Sequence, residues 1–344
     1  MVPIMTAAHL ACLRATAVAL ILAAPVTSRG NYVTVVDPDT VRVDHFEGWG
    51  TSLAWWANVV GGLPNRQVYA DLLFGGLGIT IVRYNIGGGE DPARRDLPTE
   101  YRARMAGFQP SPGVWDWGAD RNQRWMLREG VAQGVEKIEA FANSPPYWMT
   151  VSGSVTGSGD GSTDNLQIAM ENRFAGYLNE VTRAVSAMDG VRMNTVTPMN
   201  EPNAGWWSFG NRQEGCHMGR DQQNRMLVLL RASGTSRGMP ELLNAAEQFS
   251  QSATSASIEA YPAGTIDHLA HISTHTYSAN DAVGLRELAR AVNRPAWVSE
   301  YGDGGANGLQ MAERIRHDLN VMGARAWIYW QLVDNAGGWG MLKN

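Results

Sequence analysis

Lysine is all but absent from this chain: of 28 basic residues in 344, only Lys137 and Lys343 are Lys, and the other 26 are Arg. A bias that lopsided can come from the coding genome as readily as from selection, so it carries no functional meaning. Cysteine is nearly as scarce. Cys12 and Cys216 alone cannot build a disulfide framework or a zinc knuckle. Charge is thin too, at 18% of residues against the roughly 25% of an average globular domain. A net charge of −5 with no basic run lacks the footprint of a nucleic-acid binder. No segment reaches the ~18 consecutive apolar residues that span a bilayer. A hydrophobic share of 44% excludes general disorder.

What is abundant is glycine, 38 residues, and tryptophan, 13. The length suits two ordinary domains or one large α/β barrel, which commonly needs about 250 residues. The first thirty residues stand apart. Arg14 precedes an acid-free apolar stretch, Ala15 to Val26, and then small polar Thr27 and Ser28. That is the order of a secretory signal over 1–28, with a buried N-terminal helix as the alternative. Once it is cleaved, Cys216 stands alone, and we expect it to be inert. The loop 152–165 (SGSVTGSGDGSTDN) is the richest in small and polar residues, a composition more often functional than a domain boundary.

From residue 46 short apolar runs alternate with helical patterns. Strands are expected at 46–50, 79–85, 137–142, 193–199, 242–247, 271–277, 295–300 and 325–330, and helices at 64–76, 120–133, 168–188, 219–236, 282–292 and 308–322. Eight strands in alternation with helices predict a parallel (β/α)8 TIM barrel. The alternative, an open doubly wound sheet, would want a Gly-rich phosphate turn after the first strand. FEGWG (46–50) leads into a Trp-rich segment instead.

Polar residues end nearly every strand, on the face that carries chemistry in a barrel. Glu201 follows strand four in Asn200-Glu201-Pro202, and Glu300 ends strand seven. Across a barrel mouth, carboxyl groups roughly 5–5.5 Å apart serve a retaining glycosidase as acid/base and nucleophile. Arg83 could hold Glu300 ionised or be a plain structural ion pair, and Asn200 could donate to a sugar 2-hydroxyl. His275 or Tyr277 could donate to the nucleophile from strand six. Asn85 is a further strand-end candidate, and Glu247 is either a substrate contact or a capping carboxylate. Cys216 and His217 side by side are poor evidence for a metal, and none is expected. Among the Trp residues near strand ends, Trp56, Trp207 and Trp330 are taken as contacts to sugar rings, whose C–H faces suit flat apolar rings. The low charge fits a neutral polysaccharide.

With these residues in place, the chain resembles glycoside hydrolase family 30, and within it the secreted endo-β-1,6-galactanases. The segments that carry the likeness are FEGWGTSLAWWANVVGG (46–62), IVRYNIGGGEDP (81–92), FANSPPYWMTVSGSVTGS (141–158), TPMNEPNAGWW (197–207), STHTYS (273–278) and WVSEYGDG (297–304). The resemblance implies Glu201 as acid/base and Glu300 as nucleophile, with Arg83, Asn200 and His275 in support. It implies the β-1,6-galactan side chains of arabinogalactan as substrate and no cofactor. β-1,6-Glucan, xylan and a glucosyl lipid are the alternative substrates, and an inactive carbohydrate-binding chain is the alternative function. Family members continue past strand eight into a β-sandwich. Residues 29–45 are therefore expected to be a strand segment of that sandwich, and 46–344 a barrel cut off after strand eight. The expected product is a secreted monomer with a polysaccharide partner, and with neither nucleic-acid nor membrane contacts.

Overall fold

The computed structural model describes residues 41, 43, 45–97, 103–236, 243–305, 307–334 and 339–342. The chain divides into Met1–Val41 and Arg42–Asn344, and the second unit is described here. The expected signal and most of the expected 29–45 strand segment lie outside the described residues.

Eight parallel strands close in sequence order, β1 (Gly48–Ser52), β2 (Ile81–Asn85), β3 (Lys137–Phe141), β4 (Thr195–Thr197), β5 (Leu243–Ser250), β6 (Leu269–Ser278), β7 (Ala296–Tyr301) and β8 (Ala326–Tyr329). Closure comes from β1 pairing with β8, Gly48 opposite Ala326 and Thr51 opposite Tyr329. That excludes the open sheet. The helices on the crossovers are α1 (Arg66–Ala70, continued by a wider turn to Gly76), α2 (Arg121–Ala132), α3 (Glu171–Asp189), α4 (Arg220–Thr235), α5 (Gln251–Ala260), α6 (Ala282–Ala291) and α7 (Leu309–His317, continued to Met322).

Side chains sort with the period of two that a strand dictates. On β2, Val82 and Tyr84 join the large core between strands and helices, as do Ile138 and Ala140 of β3 and Trp327 and Tyr329 of β8. Ile81 instead joins Trp297, Ala326 and Ile328 in a small cluster. Arg83, two residues on, bonds Glu139 of β3, Glu247 of β5 and Glu300 of β7, so this second face is the barrel lumen. An apolar plug at one level thus gives way to buried charge at the next.

Apart from one at Leu243/Asn244 where β5 begins, the ladder irregularities gather toward the C-terminal ends. Register shifts fall between Ala246 and Gln248, between Thr274 and His275, and between Val298 and Tyr301. A bulge re-aims the side chains beside it. Here it frees Glu247, His275 and Glu300 from strict alternation, so that all three reach one point.

Candidate active site

The strand ends of the barrel open into a cleft of about 450 Å³. Glu201, Glu300, Asn200 and Tyr277 line its floor, with Trp55, Trp206, Trp207, Trp330 and Trp339 around them.

At the base lies Arg83, fully buried. Its Nε donates to Glu139 Oε1 at 2.8 Å, one terminal nitrogen to Glu300 Oε2 at 2.8 Å, and the other to Glu247 Oε2 at 2.9 Å. The same nitrogen reaches Asn200 Oδ1 at 3.4 Å, and the guanidinium sits 4.1 Å over the ring of Phe141. Burial alone would weaken the charge on this arginine, but Glu247, Glu139 and Glu300 hold it firmly protonated.

His275 bridges the carboxylates. Its Nδ1 lies 2.9 Å from Glu201 Oε1 and 3.6 Å from Glu300 Oε1, and its Nε2 lies 3.3 Å from Glu247 Oε2. A neutral imidazole has one donor nitrogen, whereas an imidazolium has two, and here both nitrogens face ionisable oxygens. Burial opposes the charge, yet Glu300, Glu201 and Glu247 raise the His275 titration to about 10. Tyr277 completes the set by donating to Glu300 Oε1 at 2.8 Å. Burial pushes the Glu300 carboxyl above its ordinary range and Glu201 adds to the rise. His275, Arg83 and Tyr277 pull the other way.

The backbone beneath these groups is strained. Glu201 (φ 47) and Glu247 (φ 54) both sit in the left-handed region, which costs a non-glycine residue about 1–3 kcal/mol. The Glu201 N–H donates to the Glu247 carbonyl at 2.7 Å, and the Trp207 indole N–H donates to the Glu201 carbonyl at 2.9 Å. These bonds fix the turn on both sides.

Glu201, His275 and Glu300 each bring an oxygen or ring nitrogen to within 4.8 Å of one another, a spacing that a divalent cation could bridge. The positive charge at this point is supplied from within, by Arg83 and by the two-donor imidazole. The carboxylates of this cluster are thus already partly balanced by cationic side chains.

The structure brings together Arg83, Asn200, Glu201, His275, Tyr277 and Glu300, and it puts Trp207 and Trp330 on the cleft. Three expected sugar contacts lie elsewhere. Trp56 turns into the core, 3% exposed, with its indole N–H on the Ser52 carbonyl at 2.6 Å. Its neighbour Trp55 takes the cleft position, edge-on to Trp330 at 5.1 Å. Asn85 is fully buried, accepting from Asn143. Glu247 is also fully buried, and it serves Arg83 and His275 rather than a sugar. The loop 152–165 acts as a buttress. Ser158 N–H donates to the Trp207 carbonyl at 2.9 Å, and Gly157, at φ 134, lies so close that a Cβ there would be 1.9 Å from that oxygen. Two residues outside the expected set matter. Trp206 lines the cleft half-exposed, and Glu139 anchors Arg83 from β3. A Trp-Trp pair signals the first without saying which ring faces out. The only signal for the second is an acid inside an otherwise apolar strand.

This geometry agrees with comparison to known proteins. The family model described as O-Glycosyl hydrolase family 30 matches residues 34–284. An endo-β-1,6-galactanase of Hypocrea rufa is 31% identical over 344 aligned residues, covering 92% of this chain and 70% of that protein. An exo-β-1,6-galactobiohydrolase of Bifidobacterium longum subsp. longum is 22% identical, covering 89% of this chain but 27% of the relative. Among solved structures, a conserved exported protein of Bacteroides fragilis superposes with a TM-score of 0.77 at 24% identity, over 87% of this chain and 72% of that one. The class is thus a (β/α)8 glycoside hydrolase. The chain belongs to glycoside hydrolase family 30.

Proposed function

We infer that this glycoside hydrolase cleaves β-1,6-linked galactan within the chain, by a double displacement that retains the anomeric configuration. The observation that carries the mechanism is the approach of Glu201 and Glu300, with oxygens no more than 4.8 Å apart. So close an approach favours the roughly 5–5.5 Å spacing of a retaining pair over the ~6.5–9.5 Å of an inverting one.

Glu300, with a donor on each oxygen, attacks the anomeric carbon from below as a carboxylate. Glu201 gives its proton to the departing glycosidic oxygen. In the second step Glu201 takes a proton from water, the water oxygen bonds to the anomeric carbon, and the ester to Glu300 breaks. Asn200, whose Oδ1 accepts from Arg83 at 3.4 Å, lines the cleft and in this reading donates through its amide nitrogen to the sugar 2-hydroxyl. The galactan assignment is supported by the Hypocrea rufa relative and by the cleft, which has five Trp and neither Lys nor Arg among its described lining residues. Flat rings and neutral amides suit an uncharged sugar chain. Action outside the cell is supported by the apolar stretch Ala15 to Val26, which has the order of an export signal. No described helix is long and apolar enough to cross a membrane.

The test has two parts. Digestion of de-arabinosylated galactan, β-1,6-glucan and xylan should release oligosaccharides of β-anomeric form from the first alone. With an aryl β-1,6-galactobioside and added azide, Glu201→Ala should yield the β-glycosyl azide and Glu300→Ala the α-glycosyl azide. An α-anomeric first product from the wild type, or exchange of the two azide products, contradicts the assignment.

A further inference from the structure

Glu247, like Glu139, is an acid of the cluster that is fully buried and does not line the cleft, and it alone of the two also contacts His275. Yet it touches both cationic groups, Arg83 and His275, that hold Glu201 and Glu300. Its Oε2 accepts from Arg83 at 2.9 Å, from Ser299 Oγ at 2.8 Å and from His275 Nε2 at 3.3 Å, and its Oε1 accepts from Asn244 Nδ2 at 2.7 Å. Its carbonyl receives the Glu201 N–H at 2.7 Å, and its own backbone is held in the left-handed region at φ 54. A capping role would need none of these partners. A substrate role would need exposure.

We propose that Glu247 is a positioning residue for the hydrolytic reaction: its carboxylate locks the imidazole of His275 as a two-donor cation, which in turn aims Glu201 and counterbalances Glu300. His275 is faced by Glu201 from β4, Glu247 from β5, the Tyr277 ring from β6 and Glu300 from β7. Of the three carboxylates, Glu247 alone keeps its charge through the proposed cycle, because Glu300 becomes an ester and Glu201 gives up and regains a proton. The imidazole therefore has one constant anchor and two changing neighbours. Burial by itself would raise the Glu247 carboxyl, but Arg83, His275 and Ser299 hold it down at about 2, so it stays ionised wherever the enzyme works.

The inference rests on the roles given above to Glu201 and Glu300, and its test is read first without turnover. In protein labelled with ring-15N histidine, the His275 signals, assigned by their loss in His275→Asn, should be those of imidazolium at neutral pH. In Glu247→Gln the midpoint should fall by about 1–3 pH units, the effect of removing one charge at contact distance. In the same variant kcat should fall about 10²-fold, the cost of misplaced reacting groups, with KM little changed. Glu247→Asp should recover part of both losses. A neutral His275 in the wild type at neutral pH, or an unmoved midpoint in a folded Glu247→Gln, overturns the proposal. If Glu247→Gln fails to fold, Glu247→Asp is read in its place, and an unmoved His275 midpoint in that folded variant overturns the proposal. The azide products report separately on Glu201 and Glu300, so the two ideas can fail independently.

Discussion

Replacing Tyr277 with Phe removes one oxygen and little else. The ring keeps its neighbours, Tyr301 at 6.0 Å and Trp339 at 6.3 Å between centroids. What is lost is the hydroxyl donated to Glu300 Oε1 at 2.8 Å. Burial, and then Glu300 itself, pushes the Tyr277 hydroxyl well above its ordinary 10, so it remains a donor across the working range. A hydrogen bond to a charged group contributes about 1.5–3 kcal/mol net. At 1.36 kcal/mol per pH unit, this raises the Glu300 titration by about 1–2 pH units in the variant. The sign follows from the donor: it favours the ionised carboxylate, and its removal favours the protonated one. Since Glu300 must be ionised to attack, the ascending limb of kcat/KM against pH should move to higher pH by that amount. The same bond is re-formed when the ester to Glu300 breaks. The plateau of kcat should therefore drop about 10- to 10²-fold wherever the second step limits. The assay is a pH–rate profile of wild type and Tyr277→Phe on an aryl β-1,6-galactobioside, with a melting curve to show that the fold is kept. Superimposable acid limbs from a folded variant would refute the role given to Tyr277 and weaken that of Glu300.

Two further outcomes concern the walls of the cleft. Glu214 is fully buried and accepts the Gly88 and Gly89 N–H groups at 3.2 Å, tying the loop after β2 to the one after β4. Burial raises its carboxyl from 4.5 to about 8. The folded protein then keeps a proton that the unfolded chain loses, so stability falls as pH rises through that window, by up to about 5 kcal/mol. The melting-temperature advantage of Glu214→Gln over wild type should therefore grow from acid to mildly alkaline pH, and a constant offset speaks against it. Trp206 is 48% exposed on the cleft and Trp56 is 3% exposed in the core. Trp206→Ala should raise KM with little change in melting, whereas Trp56→Ala should cost about 3–5 kcal/mol of stability, read by denaturant unfolding. The opposite pattern would reverse their placement.

The barrel was legible because its signal is distributed. Each strand has β-branched or apolar residues in a short run, and each expected strand range overlaps an observed one. The expected helix ranges omitted α5, and the reason is visible in its sequence. QSATSASIEA has no apolar period, and its buried face is Ile258 together with the polar Gln251, Thr254, Ser255 and Ser257, so polar packing takes most of the place of the usual hydrophobic stripe. At the site, strand position brought Glu201 and Glu300 to one mouth, because that depends only on strand order. Partner choice was less legible. His275 goes to Glu201 and Tyr277 to Glu300, a split set by the register shift after Thr274. Trp55 and Trp56 differ by one residue where the chain is already turning out of β1, so the period of two no longer decides which ring faces the cleft. Glu139 and Glu247 were the hardest to read. Nothing in a strand's pattern distinguishes a carboxylate aimed into the lumen from one at a cap, until the arginine that joins them is placed.

The charge balance of the lumen explains why so many acids are gathered round one arginine. Glu139, Glu201, Glu247 and Glu300 face two cations, Arg83 and His275. In the resting state of the proposed reaction Glu201 holds a proton, leaving three negative charges against two positive ones. In the covalent intermediate Glu300 is an ester and Glu201 is ionised, and the balance is again three against two. The negative charge moves by less than 4.8 Å from one carboxylate to the other. His275, in contact with both, does not have to change state. A site with one constant excess negative charge favours the positive charge that develops on the sugar ring at each transition state, and it is already organised before either step. A site with Arg83 alone would carry a larger excess and resist ionising Glu300. One with further cations would repel the oxocarbenium-like ring. On this account the acids sealed beneath the cleft set the field in which the two that line it react, and Glu247→Gln should slow both steps alike because it cancels the excess in both states.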